Sequence, residues 1–196
     1  MKKLFELHQK LTLLVNEYQV LEDAPGAGQK LVGYVKQKRF ALREKFTLFK
    51  DESQTEIVAT SAARTILDFG AIYDIADEHG RPLAAAQKDF GKSLLNSTWL
   101  IYDASVTTEL FRMREKNQWL AILRRVWGFI PYANDIPFPL KYHFAVLKEN
   151  QVVGEYIKIT RFRDHYAFYL EESYESTIDT RAWMIVAVLL DAMQSR

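Results

Sequence analysis

The stretch RAWMIVAVLLDAM, from Arg181 to Met193, decides how the rest of the sequence is interpreted. Every residue from Ala182 to Leu190 is apolar, so a helix formed here has no polar side over more than two turns. A helix that crosses a membrane needs roughly 20 apolar residues, and this run is much shorter. The run therefore predicts a helix that other parts of the protein enclose on all sides.

Much of the remaining chain is predicted to form short strands separated by polar turns. The clearest unit is YDIADEHGRPLAAAQ, in which two apolar segments flank a turn with Gly80 and Pro82. In three such units an aspartate ends the first strand, and these residues, Asp51, Asp77 and Asp103, lie 26 residues apart. An aspartate there is typical of a hairpin turn, because its short side chain accepts hydrogen bonds from the backbone. A metal or catalytic carboxylate set is the alternative.

The strands also explain what would enclose the helix. Further strands are predicted at residues 11–21, 30–37, 40–45 and 166–172, which gives about twelve in all. A helix over residues 178–193 would be about 24 Å long, close to the length of a strand of 7 or 8 residues. We therefore predict a mainly β fold, a closed antiparallel barrel of about twelve strands around a C-terminal helix. Thr177 or Asp179 would cap the helix, and Asp191 would lie at the rim.

One segment departs from the hairpin pattern. In KNQWLAILRRVWGFIPYANDIPFPL, residues 116–140, the apolar residues fall on one helical face and Arg124 and Arg125 on the other. This predicts an extra amphipathic helix, followed by a proline-rich loop, that covers one end of the barrel or links two parts of it. Trp119 and Trp127 of this helix either pack on the barrel or offer an exposed surface.

Composition limits the functions open to the chain. Its 196 residues, 48% hydrophobic and 26% charged, predict a single domain over residues 1–196. A formal charge of +1 provides no overall field that favours nucleic acid. The absence of cysteine excludes disulfides, thiolate metal sites and a cysteine nucleophile, and it fits a cytoplasmic location. Polar residues interrupt the N-terminal apolar segment, so no export signal is expected.

The sequence also resembles a known group. KLVGYVKQKRFALREKFTLFKDE, YDIADEHGRPLAAAQKDF, WLIYDA and DTRAWMIVAVLLDAM together resemble the LURP-one-related group of the tubby-like C-terminal superfamily, which includes the phospholipid scramblases. The resemblance implies a barrel of about twelve strands around a central C-terminal helix. Tubby domains bind phosphoinositides at membranes and scramblases are associated with lipid movement and calcium, whereas LURP-one-related proteins lack a well-defined activity. No tubby phosphoinositide motif is matched, and the proline-rich region and cysteine clusters typical of scramblases are missing.

Two surfaces are candidates for binding. A basic segment, KQKRFALREK, could attract an anionic lipid headgroup, and its cations are Lys36, Lys38, Arg39, Arg43 and Lys45. The alternative is an ordinary pair of solvated strands. The second candidate is an interaction surface on the amphipathic helix, formed by Trp119, Arg124, Arg125 and Trp127.

Enzymatic chemistry finds little support in the sequence. The four histidines lack the spacing of a metal site, and no nucleophile elbow accompanies them. No catalytic residue, metal or cofactor is therefore predicted. We expect a non-enzymatic, cytoplasmic or peripherally membrane-attached domain that binds anionic lipid, with no transmembrane segment. The alternatives are a protein-interaction or regulatory module and a small-ligand binder with a pocket at the barrel mouth.

Overall fold

A computed structural model describes the backbone of residues 1–11, 15–38, 45–65, 70–89, 97–116, 143–160 and 164–194. Within these residues, twelve strands precede one C-terminal helix. The strands are β1 (Lys2–Leu11), β2 (Val15–Ala24), β3 (Gly28–Lys38), β4 (Lys45–Phe49), β5 (Ile57–Ala63), β6 (Ile72–Asp77), β7 (Pro82–Lys88), β8 (Thr98–Tyr102), β9 (Glu109–Glu115), β10 (His143–Lys148), β11 (Gln151–Lys158) and β12 (Asp164–Leu170). A short 3-10 helix (Glu172–Tyr174) leads to the helix α1 (Thr180–Gln194).

The strands form a closed antiparallel barrel, as predicted. Each strand pairs with the strands before and after it in the sequence, and β1 closes the barrel by pairing with β12. In this closing pair His8 lies opposite His165 and Leu7 opposite Tyr166. Because each of the twelve described strands has two neighbours, none of them is an edge strand that could pair with another chain.

The N-terminal part of the strand prediction was wrong. A single strand was expected at residues 11–21, but β1 ends at Leu11 and β2 begins at Val15. β1 itself was not predicted, although its sequence KKLFELHQKL alternates buried residues, Phe5 and Leu7, with more exposed ones. This alternation is the usual pattern of a strand with one face on the core. Residues 40–44 of another predicted strand lie outside the described residues, and β4 begins at Lys45.

The helix α1 fills the interior of the barrel. Eight of the nine residues from Ala182 to Leu190 have no exposed surface, and Met184 is 4% exposed. Trp183 is the largest of them, and its ring lies 5.1 Å from that of Phe111 and 5.0 Å from that of Phe168. Burying each large apolar side chain contributes on the order of 1.5 to 3 kcal/mol. Enclosure by the strands thus explains why the helix has no polar face.

The start of α1 agrees with the prediction, and its end does not. Asp179 caps the first turn, because its Oδ1 accepts a hydrogen bond of 2.9 Å from the backbone N–H of Arg181. Asp191 was expected at the solvated rim, and this was wrong, since the residue is only 9% exposed. Hydroxyl groups of strand residues satisfy its carboxyl inside the barrel, as described below.

The barrel has two different ends, which we name after their contents. At the hairpin end, α1 begins, and the connections there are residues 25–27, 50–56, 78–81, 103–108, 149–150 and 171–179. At the opposite end, the Asp191 end, α1 finishes at Gln194, and the strands end or begin at residues such as Leu11, Lys38, Lys45 and Lys158.

Candidate functional site

The predicted basic segment is only partly described. Lys36 near the end of β3 and Lys45 at the start of β4 are exposed, and both lie at the Asp191 end. Lys38 is the last residue of β3, but its side chain is not among those described. Arg39 and Arg43 lie outside the described residues. The structure therefore places two of the five predicted cations on the surface at one end of the barrel.

Strand register shows what surrounds Lys36. Glu17 of β2 lies opposite Lys10 of β1 on one side and opposite Lys36 on the other. Opposite charges on neighbouring strands stabilise a sheet, so Lys10 and Lys36 help to hold the strands together through Glu17. One net positive charge remains in this row of three residues, and Lys45 on β4 adds another. This surface can attract an anion, but it is not uniformly basic.

The second predicted surface cannot be placed. Trp119, Arg124, Arg125 and Trp127 all lie outside the described residues, as does nearly all of the predicted amphipathic helix. The interaction surface on these residues stays a prediction.

The hairpin end is strongly acidic. Its six connections contain two basic residues, Lys50 and Arg81, and ten acidic ones. The acidic residues are Asp51, Glu52, Glu56, Glu78, Asp103, Glu149, Glu171, Glu172, Glu175 and Asp179. Since the whole chain has a formal charge of +1 and these connections carry −8, the rest of the chain carries +9. Residues outside the described ranges carry +6 of this charge, and the other described residues carry +3, so the described contrast is between −8 at the hairpin end and +3 elsewhere.

The three repeated aspartates form turns, as predicted. Asp51 accepts a hydrogen bond from the N–H of Ser53 at 2.9 Å, and Asp103 accepts one from the N–H of Thr107 at 2.8 Å. In Asp103 the hydroxyl of Ser105 and the amides of Thr107 and Thr108 lower the pKa to about 2. These carboxylates are thus occupied by the backbone that follows them, which is the structural function expected of an aspartate at a turn.

Asp77 has the same function in a buried position. It is 3% exposed, and its Oδ1 accepts hydrogen bonds of 2.9 Å from the N–H groups of His79 and Arg81. Its Oδ2 accepts from Nε of Arg81 at 2.6 Å. Burial acts to raise the pKa of the carboxyl, but the hydrogen bonds outweigh it and lower the pKa below its usual value. The negative charge of Asp77 is therefore stabilised by these hydrogen bonds although the side chain is buried.

The start of α1 is tied to the same end by Arg181. Its guanidinium contacts Asp179 at 2.8 Å and Glu78 at 2.7 Å, and it donates to the carbonyl of Val58 at 3.4 Å. The hydrogen bonds that Arg181 donates to Asp179, followed by the negative charges around the guanidinium, raise the pKa of Arg181. This network links the helix to the hairpin of β6 and β7, and it is held by ordinary ion pairs.

A buried polar cluster, which the sequence analysis missed, lies at the other end. Asp191 accepts a hydrogen bond from the hydroxyl of Tyr166 at 2.5 Å and one from Tyr18 at 3.1 Å. Gln9 donates to the hydroxyl of Tyr18 at 3.1 Å, and Tyr156 donates to the carbonyl of Ala187 at 3.4 Å. We call these residues, Gln9, Tyr18, Tyr156, Tyr166 and Asp191, the tyrosine cluster. Its members come from five elements, β1, β2, β11, β12 and α1.

A buried ion pair accompanies the tyrosine cluster. Lys158 is 3% exposed, and its Nζ lies 2.5 Å from Oδ1 of Asp164. Most of the buried polar residues of the described part of the chain lie in this half of the barrel, namely Asn16, Gln37, Ser61, Ser97, Thr98, Glu115, Lys158 and Asp191. Asp77 is the exception at the hairpin end. The polar interior of the described part of the chain is therefore concentrated at the Asp191 end.

Burial changes the acidity of the whole cluster. It raises the pKa of Asp191 to about 6, while the hydrogen bonds from Tyr166 and Tyr18 oppose this increase. The negative charge of Asp164 raises this pKa further, and the positive charge of Lys158 lowers it. Burial, with the charge of Asp191 beside it, holds the pKa of Tyr18 and Tyr166 well above the usual value. Perturbed titratable groups of this kind are typical of functional sites, although structural networks also produce them.

Histidines and acids of the described residues do not form a metal site. No group of three or more such side chains in the described ranges could hold a metal ion. The fold does bring together His8 and His165, whose rings stack with centroids 3.8 Å apart and planes 3° from parallel. Glu6 lies 3.1 Å from Nε2 of His8. The absence of a metal site stays a prediction for the residues outside these ranges.

No helix among the described residues is long and apolar enough to span a membrane. This agrees with the sequence analysis, in which the apolar run of α1 was too short for that purpose. The residues of that run instead contact the inner faces of the strands.

One family model matches most of the chain. No curated protein and no solved structure matches the chain. A family model described as LURP-one-related matches residues 31–191, which include β4 to β12, most of β3 and α1 as far as Asp191. β1 and β2 precede the matched residues, yet they complete the barrel. The match covers most of the sequence and agrees with the barrel and its central helix, and the chain therefore belongs to the LURP-one-related family.

Proposed function

We propose that this protein is a non-enzymatic, cytoplasmic binding domain that attaches peripherally to anionic phospholipid, with the Asp191 end toward the membrane. The observation that carries the proposal is the contrast between the acidic connections of the hairpin end and the exposed lysines at the Asp191 end. The connections at the hairpin end carry a formal charge of −8, whereas the other described residues carry +3. A negative surface attracts basic residues within about a Debye length and repels acidic ones, so it would orient such a molecule.

Exposed lysines provide the described part of the contact surface. Lys10, Lys36 and Lys45 are exposed close to the Asp191 end, on β1, β3 and β4. Each lysine near an anionic surface contributes up to about 1 kcal/mol, which suits weak and reversible attachment. Glu17 between Lys10 and Lys36 reduces the attraction but leaves a net positive charge. Phosphoinositides and other anionic lipids present the same phosphate chemistry to these residues.

The interior of the barrel favours binding at the surface over catalysis in a cavity. In many barrels a ligand lies between the strands. Here α1 occupies this space, and residues such as Trp183, Val186 and Leu189 have no exposed surface. A membrane-binding role is also consistent with the lipid-related functions of tubby-like proteins, to which the family is related.

Vesicle co-sedimentation tests the proposal. At low salt, the protein is expected to sediment with vesicles of phosphatidylcholine and phosphatidylserine but not with phosphatidylcholine alone. Vesicles with added phosphatidylinositol 4,5-bisphosphate distinguish a phosphoinositide preference from general anion attraction. Increasing salt should weaken binding, because screening shortens the range of the attraction. If the protein fails to bind any anionic vesicle at low salt, the proposal is wrong.

A matched pair of variants tests the orientation. Lys36→Glu with Lys45→Glu should reduce vesicle affinity by about tenfold, since each lysine contributes up to about 1 kcal/mol. The control is Lys30→Glu with Lys50→Glu, which makes the same change in charge with two exposed lysines toward the hairpin end. The control should bind nearly as well as the unmodified protein. An equal loss in both variants would contradict the proposed orientation.

A further inference from the structure

The carboxyl of Asp191 joins the last turns of α1 to the place where the barrel closes. Tyr18 lies on β2 and Tyr166 on β12, and these two strands are the neighbours of β1 on either side. Their hydroxyls donate to different oxygens of Asp191, Oδ2 and Oδ1. One carboxyl therefore connects the helix with both strands that flank the N-terminal strand.

This position is unfavourable for a negative charge for two reasons. Asp191 lies three residues before Gln194, the last residue of α1, where the free carbonyl groups of a helix give a partial negative charge. It is also buried, and an ionised carboxylate away from water is costly unless a cation accompanies it. Both direct partners of Asp191 in the cluster are uncharged hydroxyl groups.

Other elements packed around the cluster contribute both positive and negative groups. From β11 come Lys158 and Tyr156, and from β12 come Asp164 and Tyr166. The cation of Lys158 lies 2.5 Å from Asp164, so it is largely compensated by that carboxylate. Toward the end of the helix, Lys88 of β7 donates to the carbonyl of Met193 at 3.4 Å. Tyr73 of β6 contacts Sδ of Met193 at 3.6 Å, and Gln9 of β1 is neutral.

We propose that the carboxyl of Asp191 is a proton-dependent latch that fixes the last turns of α1 in the barrel when it is protonated and loosens them when it is ionised. The protonated carboxyl is neutral, and it can donate to one tyrosine oxygen while it accepts from the other. The ionised carboxyl gains solvation whenever the last turns move and water reaches it. Burial raises the pKa of Asp191 to about 6, which puts the change near physiological pH. The latch does not depend on the proposed lipid binding.

Hydrogen exchange measures the opening directly. Protection factors, which correct for the intrinsic effect of pH on exchange, would be determined for amides across the protein at pH 5 and pH 7. For a carboxyl with a pKa of about 6 when closed and about 3.8 when open, protection of the amides of residues 188–193 should fall roughly tenfold over this interval. Amides of the strands at the hairpin end should change much less.

Two variants distinguish the latch from general effects of pH. In Asp191→Asn the side chain keeps its shape but does not titrate, so the pH dependence of protection at residues 188–193 should disappear. The control Asp74→Asn removes an exposed carboxylate on β6 and should keep that dependence. If protection at residues 188–193 in the unmodified protein does not depend on pH, the latch is excluded even when the variant fails to fold. A parallel change in all amides would also exclude it, because the opening would then be global.

Discussion

The two ends of the barrel each bury an aspartate, and they treat it in opposite ways. At the hairpin end, Asp77 accepts two backbone N–H groups and a guanidinium, and its pKa is lowered. At the other end, Asp191 accepts from the hydroxyls of Tyr18 and Tyr166, and its pKa is raised to about 6. Burial alone therefore does not determine the charge state of a carboxyl. The nature and number of its donors determine it.

This difference separates a structural end from an end that can change state. Asp77 stays ionised down to acidic pH, so the hairpin of β6 and β7 and the start of α1 keep their ion pairs throughout the physiological range. Asp191 gains or loses its proton near pH 6, in the same part of the barrel that contains most of the other buried polar residues. The proposed membrane contact also lies at that end, through Lys36 and Lys45.

The substitution Asp191→Asn tests the difference between the two ends most sharply. It should remove a pH dependence of stability that the unmodified protein has, and this is the largest effect we expect. Because the folded-state pKa of Asp191 is above its unfolded value of about 3.8, the folded form holds the proton more tightly. The contribution of Asp191 to the free energy of unfolding of the unmodified protein should therefore fall by about 3 kcal/mol as pH rises from about 4 to about 6. Above that pH it should fall no further. Urea unfolding of both proteins from pH 4.5 to pH 8 should show the variant becoming relatively more stable. If the free energies of unfolding of the two proteins change with pH in the same way, the raised pKa of Asp191 is refuted.

An intermediate effect is expected from the tyrosines that hold Asp191. Tyr166→Phe should lower the free energy of unfolding at pH 7 by about 1 to 2 kcal/mol, since a hydrogen bond to a charged group is lost. Tyr18→Phe should cost less, because its hydroxyl lies 3.1 Å from the carboxylate and that of Tyr166 lies 2.5 Å away. Both variants should raise the pKa of Asp191 further, as carboxyl ¹³C chemical shifts would show. A larger loss in Tyr18→Phe would reverse this ranking.

The smallest effect is expected at the other aspartate, in Asp77→Asn. The amide oxygen can still accept from the N–H groups of His79 and Arg81, and the lost charge faces an arginine whose side chain is 71% exposed. The folded-state pKa of Asp77 is lowered, so its charge contributes to stability at neutral pH and the contribution disappears as pH falls below about 4. The urea midpoint at pH 7 should therefore fall slightly. A fall greater than that of Tyr166→Phe would contradict our account of the hairpin end.

Sequence patterns predicted the hairpins and their aspartates well because these features are local. Asp51, Asp77 and Asp103 bond to amides two to five residues ahead, so spacing and residue type were enough. The pattern of β1 was also local, and its alternation around Phe5 and Leu7 could have been recognised. The tyrosine cluster differs, since Tyr18 and Asp191 are 173 residues apart. No local signal connects two such residues.

The sequence alone determined that the protein has a helix without a polar face and enough strands to enclose it. Nine consecutive apolar residues cannot be exposed to water without a large cost, so the sequence itself requires a surrounding sheet. Only the tertiary structure decided that Asp191 is inside the barrel and that β1 closes it beside Tyr18 and Tyr166. The physical reason is that a buried carboxyl is tolerated only where hydrogen-bond donors converge on it, and their convergence depends on how distant strands pair.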